Sequence, residues 1–208
     1  MLRLLLVRHG ETEWNLIRRI MGRQEISLND TGRAQSLSLR ESLASFAVDA
    51  IYSSPVCRAR ETAAILCEGR GLEPVFDERL VEINYGDWVG MTFEEVRNLP
   101  DYTPYFERLE TPVAPNGETL YQVRDRAMGW VEDLRRRHPD ATVVAVSHAD
   151  WIKCLLMEFL GIPYDRIWKF RIDNVSVSLI ECDPSWDRVV CINQRGDFER
   201  LFQTRFAF

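Results

Sequence analysis

Nowhere in its 208 residues does the chain hold an apolar run near the roughly 20 residues that span a bilayer. Its first apolar stretch, residues 2–7, is too short and too soon charged for a secretory leader, so the expected setting is cytoplasmic, without a membrane partner. An excess of basic residues is also missing: the net charge of −6 argues against a dominant nucleic-acid surface, and the expected partner is a small molecule. The cysteines (Cys57, Cys67, Cys154, Cys182, Cys191) are odd in number, and none forms a CxxC pair or a metal-type cluster with histidine. They read as small buried hydrophobes, and no metal is expected. Internal repeats and low-complexity segments are absent as well. What remains, 46% hydrophobic and 28% charged residues over this length, fits one globular domain across residues 1–208.

One stretch stands out, Leu4-Leu5-Leu6-Val7-Arg8-His9-Gly10-Glu11-Thr12-Glu13-Trp14-Asn15. Four consecutive apolar residues read as a buried strand that breaks at once into Arg-His-Gly. In open α/β sheets ligands bind outside the carboxyl ends of the strands, which is where His9 falls. Arg8 offers a planar fork for an anion, His9 a nucleophile or proton carrier, and Gly10 close backbone approach. Taken alone, a histidine after a strand is more often a surface or satisfied core residue than a reactive one.

Along the chain, Asn29-Asp30-Thr31-Gly32 carries helix-starting chemistry, with Ala34, Leu37, Leu39 and Leu43 as inward candidates of the helix that follows. Residues 49–52 read as a second strand, and residues 55–68 as a helix opening on Pro55 and carrying Arg58 and Arg60 in its first turns, where a helix start favours anions. Residues 75–77 suggest an edge strand. Glu82 lies between apolar neighbours, and its spacing allows it to point to solvent from a strand. Prolines 100, 104, 112 and 115 break residues 91–115 into an excursion with one short helix, the kind of segment that covers active sites. A long helix to about His138 follows, with Leu120, Val123, Ala127, Trp130, Val131 and Leu134 spaced for one buried face. Residues 141–147 are the clearest strand, and again the strand ends in histidine, His148, before a helix over 150–160. Residues 175–181 and 188–193 read as an antiparallel pair. The apolar tail residues Leu201, Phe202, Phe206 and Phe208 permit a homodimer contact or a lid over the site, and equally a frayed end.

These blocks resemble the histidine phosphatase superfamily, in its phosphoglycerate mutase-like branch of small phosphatases. The likeness covers most of the chain: the segment 8–15, then Leu28-Asn29-Asp30-Thr31-Gly32-Arg33-Ala34-Gln35, Tyr52-Ser53-Ser54-Pro55 with Arg58, the stretch from Glu82 to Gly90, Pro115-Asn116-Gly117-Glu118-Thr119, and Val146-Ser147-His148. The resemblance implies a three-layer α/β/α sandwich with a mostly parallel central sheet. It further implies that His9 accepts a phosphoryl group, that Arg8, Arg58 and His148 surround that group, that Asn15 and the backbone after His9 complete the cradle, and that Glu82 donates a proton. Gly22 and Ala149 would add substrate contacts. No cofactor is implied, and the partner is a small phosphorylated metabolite.

Phosphoryl chemistry asks for the same residues. Charge spread over three equatorial oxygens is met by two guanidinium groups and a second imidazole, without need of a metal. Attack requires a neutral His9, whereas His148 serves best as a cation or donor, and Glu82 must be partly desolvated to hold a proton. His138, at a helix C-terminus before proline, reads as structural. The sequence departs from the family pattern at Met21, where many members have glutamine before the glycine, and at Ala149, where glycine is usual. Asp150 and Lys153 read as solvent-facing charges. Residues 91–115 hold only Arg97 and Arg108 against Glu94, Glu95, Asp101, Glu107 and Glu110, with Phe93, Tyr102, Tyr105 and Phe106 beside them. Such a cover suits hydrolysis of a less charged phosphomonoester. The alternatives are phosphoglycerate mutase-type transfer and a phospho-ligand binding protein without turnover.

Overall fold

In the computed structural model, which describes residues 1–100, 102–196 and 198, two central strands run parallel. They are β1 (Leu2–Arg8) and β4 (Thr142–Ser147), and both are apolar along nearly their whole length. Alternate side chains leave a strand on opposite faces, so a strand apolar throughout must be covered on both. Leu4, Leu6, Val143 and Ala145 enter one core, and Leu5, Val7, Val144 and Val146 enter the other. The first core is closed by helices α5 (Leu120–Arg137) and α6 (Ala149–Leu160), whose Trp130 and Trp151 meet edge to face at 5.7 Å. The second is closed by α2 (Asp30–Ser42) and α3 (Cys57–Cys67) through Leu39, Leu43, Ala59, Ala63 and Leu66.

The remaining strands are β2 (Ala50–Ser53), β3 (Val75–Phe76), β5 (Val177–Cys182) and β6 (Asp187–Gln194), giving the order β3-β2-β4-β1-β5-β6. β1 to β4 are mutually parallel where they pair, while β5 and β6 add antiparallel partners at one edge. This is the three-layer α/β/α sandwich with a mostly parallel sheet. Two short helices, α1 (Glu13–Leu16) and α4 (Phe93–Arg97), complete the α-helices among the described residues. Among the described residues no helix is long and apolar enough to cross a membrane. Asp101, the side chain of Tyr105 and residues 201–208 lie outside what the structure describes, and with them the apolar tail.

Periodicity located α5 closely: all six expected apolar residues are buried, behind a capping box in which Thr119 and Gln122 each accept from the other's backbone. It misplaced the inner face of α2. Ala34 and Leu37 are exposed, and the buried face runs through Gly32, Ser36, Leu39 and Leu43. Small residues face inward because the loop after β1 presses on the helix: a Cβ on Gly32 would lie 2.1 Å from Glu11 O. The next helix begins at Cys57, capped by Val56, so Pro55 precedes it and does not occupy its first turn. Residues 80–85 form no strand. A 3₁₀ turn (Glu78–Leu80) leads into an irregular segment held to the end of β4 by Ser147 Oγ, which donates to Leu80 O at 2.7 Å, and Glu82 turns inward.

Two glycines report opposite constraints. Gly32→Ala, colliding with backbone, is expected to lower unfolding free energy by about 1–3 kcal/mol or more. Gly129→Ala, in α5 with open space at its Cβ, is expected to raise it by up to ~1 kcal/mol. Urea denaturation of the two variants measures both.

Candidate active site

The register of β1 and β4 pairs Arg8 with Ser147, so the histidine that follows each strand emerges beside the other. His9 N–H continues the ladder to Ser147 O at 3.0 Å, and the His9 and His148 rings stand 5.2 Å apart, tilted by 59°. β2 ends on the far side of β4, where Ser54 N–H reaches Val146 O at 2.9 Å; α3 then starts and carries Arg58 back across both rings. Arg58 Nε donates to His9 Nε2 at 3.1 Å, and Nη2 lies 3.0 Å from His148 Nδ1. The same guanidinium is fixed by Gly22 O (2.7 Å) and Gln24 O (2.9 Å).

A guanidinium only donates, so both ring nitrogens facing it are acceptors, and the tautomers follow. The His9 proton sits on Nδ1, which donates to Gly10 O at 2.7 Å; the His148 proton sits on Nε2, 2.8 Å from Ser54 Oγ. Burial, then the Arg58 charge, holds both imidazoles well below the usual histidine range. His9 is therefore neutral with its Nε2 lone pair directed at the arginine. His148 is also neutral, so of the two expected forms, cation or hydrogen-bond donor, it takes the second, because an ionised ring there would be desolvated beside a guanidinium. Burial lowers Arg58 to about 10 and shifts Arg8 in the same direction. Arg8 Nη1 donates to Ile172 O at 2.7 Å, and its buried Nε has no hydrogen-bond partner among the described residues.

A cavity of about 300 Å³ opens over this array. Its wall includes Arg8, His9, Asn15, Gly22, Arg58, Glu82 and Ala149, all drawn from distant parts of the chain. His148 does not line it; the ring is fully buried behind Arg58. Glu82 is 8% exposed, with Oε1 accepting from Ile83 N (2.9 Å) and from Trp151 N (3.3 Å) at the start of α6. Burial pushes its carboxyl up to about 7, and neighbouring Asp150 adds to the rise, against Arg58 and Arg8. Asn15 Oδ1 accepts from Thr12 N (3.0 Å) and Asn174 Nδ2 (3.3 Å), which leaves the amide nitrogen as its donor. Met21 Sδ accepts from Thr12 Oγ1 at 3.3 Å, so the residue in the usual glutamine position packs against the loop.

Asp150 overturns the reading of a solvent-facing charge. It is 7% exposed and lines the cavity, with Tyr85 Oη donating to Oδ2 at 2.5 Å and Lys153 Nζ to Oδ1 at 3.1 Å. The residue sits in the first turn of α6, which faces the cavity because β4 ends there. Sequence reasoning also passed over Tyr85, Trp14, Arg18 and Arg19 on the wall, and Asn174, whose Nδ2 holds His9 O at 3.0 Å. Only Ser54 had a legible signal, since it follows a strand end as His9 does. Among the described residues of 91–115, Phe93 alone lines the cavity; Tyr102 lies against Trp88 (5.9 Å) and Phe106 against Trp168 (6.2 Å). Among the described residues no group of three or more His, Cys, Asp or Glu is arranged to hold a metal ion.

The family model described as histidine phosphatase superfamily (branch 1) matches residues 4–195. The chain belongs to that superfamily. As a histidine phosphatase it is 34% identical over 195 residues to phosphoserine phosphatase 1 of Hydrogenobacter thermophilus, spanning 93% of this chain and 92% of that one. It is 31% identical over 193 residues, 89% of this chain and 87% of the relative, to the probable phosphoglycerate mutase GpmB of Escherichia coli. Among solved structures, phosphoserine phosphatase of Entamoeba histolytica in complex with 3-phosphoglyceric acid superposes with a TM-score of 0.86 at 29% identity, covering 94% of this chain and 98% of that one.

The raised Glu82 carboxyl has a thermodynamic signature. From its usual value of 4.5 up to about 7, the folded histidine phosphatase holds a proton that the unfolded chain has released, so this group's contribution to stability falls as pH rises through that window. Glu82→Gln cannot titrate. Its unfolding free energy relative to wild type is expected to climb by up to ~3 kcal/mol between about pH 4.5 and 7.5. The buried imidazoles, whose contribution has the opposite sign and falls with falling pH, are common to both proteins. Paired urea titrations across that range measure the difference.

Proposed function

We propose that this histidine phosphatase hydrolyses small phosphomonoesters through a phosphohistidine formed at His9 Nε2. The observation that carries the reading is the neutral His9, its Nε2 lone pair turned toward the Arg58 guanidinium at the cavity wall. A phosphate entering the cavity takes the Arg58 and Arg8 donors onto its oxygens and leaves Nε2 free for in-line attack. His148 supports Arg58 from behind. As the bond from phosphorus to the ester oxygen breaks, its electron pair goes to that oxygen, which takes the Glu82 proton and departs as the alcohol. The Glu82 carboxylate then accepts a proton from water, whose oxygen attacks phosphorus; the nitrogen–phosphorus bond breaks, and His9 and inorganic phosphate result. Glu82 ends protonated, as it began. Each charge that develops is met by a residue already in place.

Hydrolysis is favoured over return of the phosphoryl group to a second hydroxyl by the excursion at residues 91–115. Neither Arg97 nor Arg108 reaches the cavity wall, so the segment adds no guanidinium to Arg18 and Arg19 of the loop after β1 for holding a phosphoglycerate carboxylate. The relatives named above, phosphoserine phosphatases and a probable phosphoglycerate mutase, leave the leaving group open among phosphorylated hydroxy acids and hydroxy amino acids, and Phe93, Trp14 and Tyr85 give the wall room for an apolar portion.

With EDTA present, purified protein is expected to release inorganic phosphate from an aryl phosphate, and His9→Ala to abolish release. Label from a phosphoryl donor should be acid-labile and base-stable on wild type only. Interconversion of phosphoglycerates without phosphate release would overturn hydrolysis, and absence of label would overturn the covalent route. Glu82→Gln is expected to slow an alkyl phosphate by ~10²–10⁴-fold, and an aryl ester with an acidic phenol far less, because that leaving group departs without a proton.

A further inference from the structure

The mechanism above makes no use of Asp150, yet this carboxylate is buried in the cavity wall. We propose that Asp150 is a positioning residue for the proton donor: a fixed negative charge seated beside the Glu82 carboxyl at the start of α6, which keeps the proton on Glu82 when substrate enters. The inference rests on Glu82 being the proton donor.

Both carboxyls are held by the same turn. Trp151 N–H, the third N–H of α6, donates to Glu82 Oε1, and Asp150 is the residue immediately before it. The two are wired in opposite senses. Each Asp150 oxygen receives a donor, the Tyr85 hydroxyl on Oδ2 and the Lys153 ammonium on Oδ1, so the group is held as an acceptor, in its ionised form. The helix N-terminus favours that same form. Glu82 Oε1 takes two backbone N–H groups, while Oε2 has no hydrogen-bond partner among the described residues, leaving one oxygen to carry a proton. Two carboxylates so close cannot both ionise without cost, and the pair resolves with Asp150 charged and Glu82 neutral.

Other charges act on the pair. Arg8 from β1 and Arg58 from α3 draw the proton off Glu82, Arg126 from α5 acts in the same sense, and Lys153 lies on Asp150 itself. His9 and His148 are neutral, as is the Cys154 thiol of α6, which burial pushes up. Arg126 is engaged elsewhere, with Arg79 O and Glu118. A bound phosphate neutralises Arg8 and Arg58 in turn. The charge that then remains to act on Glu82 from the floor of the cavity is Asp150, at the moment when the leaving group needs a proton.

The test uses carbon-13 NMR of carboxyl-labelled, unliganded protein, so it does not depend on turnover. In wild type, Asp150 is expected to titrate well below Glu82; the reverse order overturns the proposal. In Asp150→Asn the Glu82 midpoint should fall by about one pH unit or more, and the alkaline limb of kcat/KM on an alkyl phosphate should move down with it. An unchanged midpoint overturns the assignment. Should that variant fail to fold, Lys153→Met removes the cation from Asp150 and is expected to raise the Glu82 midpoint, and a fall or no change counts against the idea. Correct midpoints in a protein that forms no phosphohistidine would keep the electrostatic coupling and discard the catalytic reading.

Discussion

Everything at this site depends on the parallel register of β1 with β4. Pairing Arg8 with Ser147 makes each following histidine continue from the same level of the sheet, and a slip of one residue would send one ring to the opposite face. The fixed ladder sets the rings close enough for one guanidinium to touch both. Burying the Arg58 guanidinium costs heavily unless its N–H groups are met by acceptors. Here the partners are two imidazole lone pairs and two loop carbonyls, which together fix the arginine, the ring tautomers and residues 22–24 of the loop after β1.

Charge in the cavity follows from that arrangement. Two neutral histidines next to a buried cation leave the pocket positive at the end where Arg8 and Arg58 meet, suited to a phosphate. The carboxylic side is set by α6, whose first turn supplies one backbone donor to Glu82, the Trp151 N–H, and presents Asp150. Donors for an anion and the buried Glu82 carboxyl thus line one cavity, positioned by strand ends and by the start of α6. Electrostatic catalysis draws on charges fixed before substrate arrives, and here nearly every polar atom that would act is already held by backbone or a buried side chain.

Much of this was legible from local pattern. The apolar runs of β1 and β4, the six-residue face of α5 and the Asn29 cap of α2 report local physics, namely burial on both faces of a strand, one stripe of a helix, and an N-terminal donor in need of an acceptor. The failures are equally particular. Ala34 and Leu37 were assigned inward because apolar residues usually are, but the loop at Gly10 and Glu11 leaves room only for Gly32 and Ser36. Asp150 was assigned outward because charges usually are, and Tyr85 and Lys153, one of them far away in sequence, make its burial possible.

The sequence by itself determined the elements, the two histidines at strand ends and the family to which they belong, because these rest on residue type and spacing along the chain. Only the tertiary structure decided the state of those residues: that His148 is neutral and lies behind Arg58, that burial beside Asp150 raises the Glu82 carboxyl, and that among the described residues of 91–115 Phe93 alone faces the cavity. Protonation and exposure are set by neighbours through space and by the solvent they exclude, and neither is written in the order of residues.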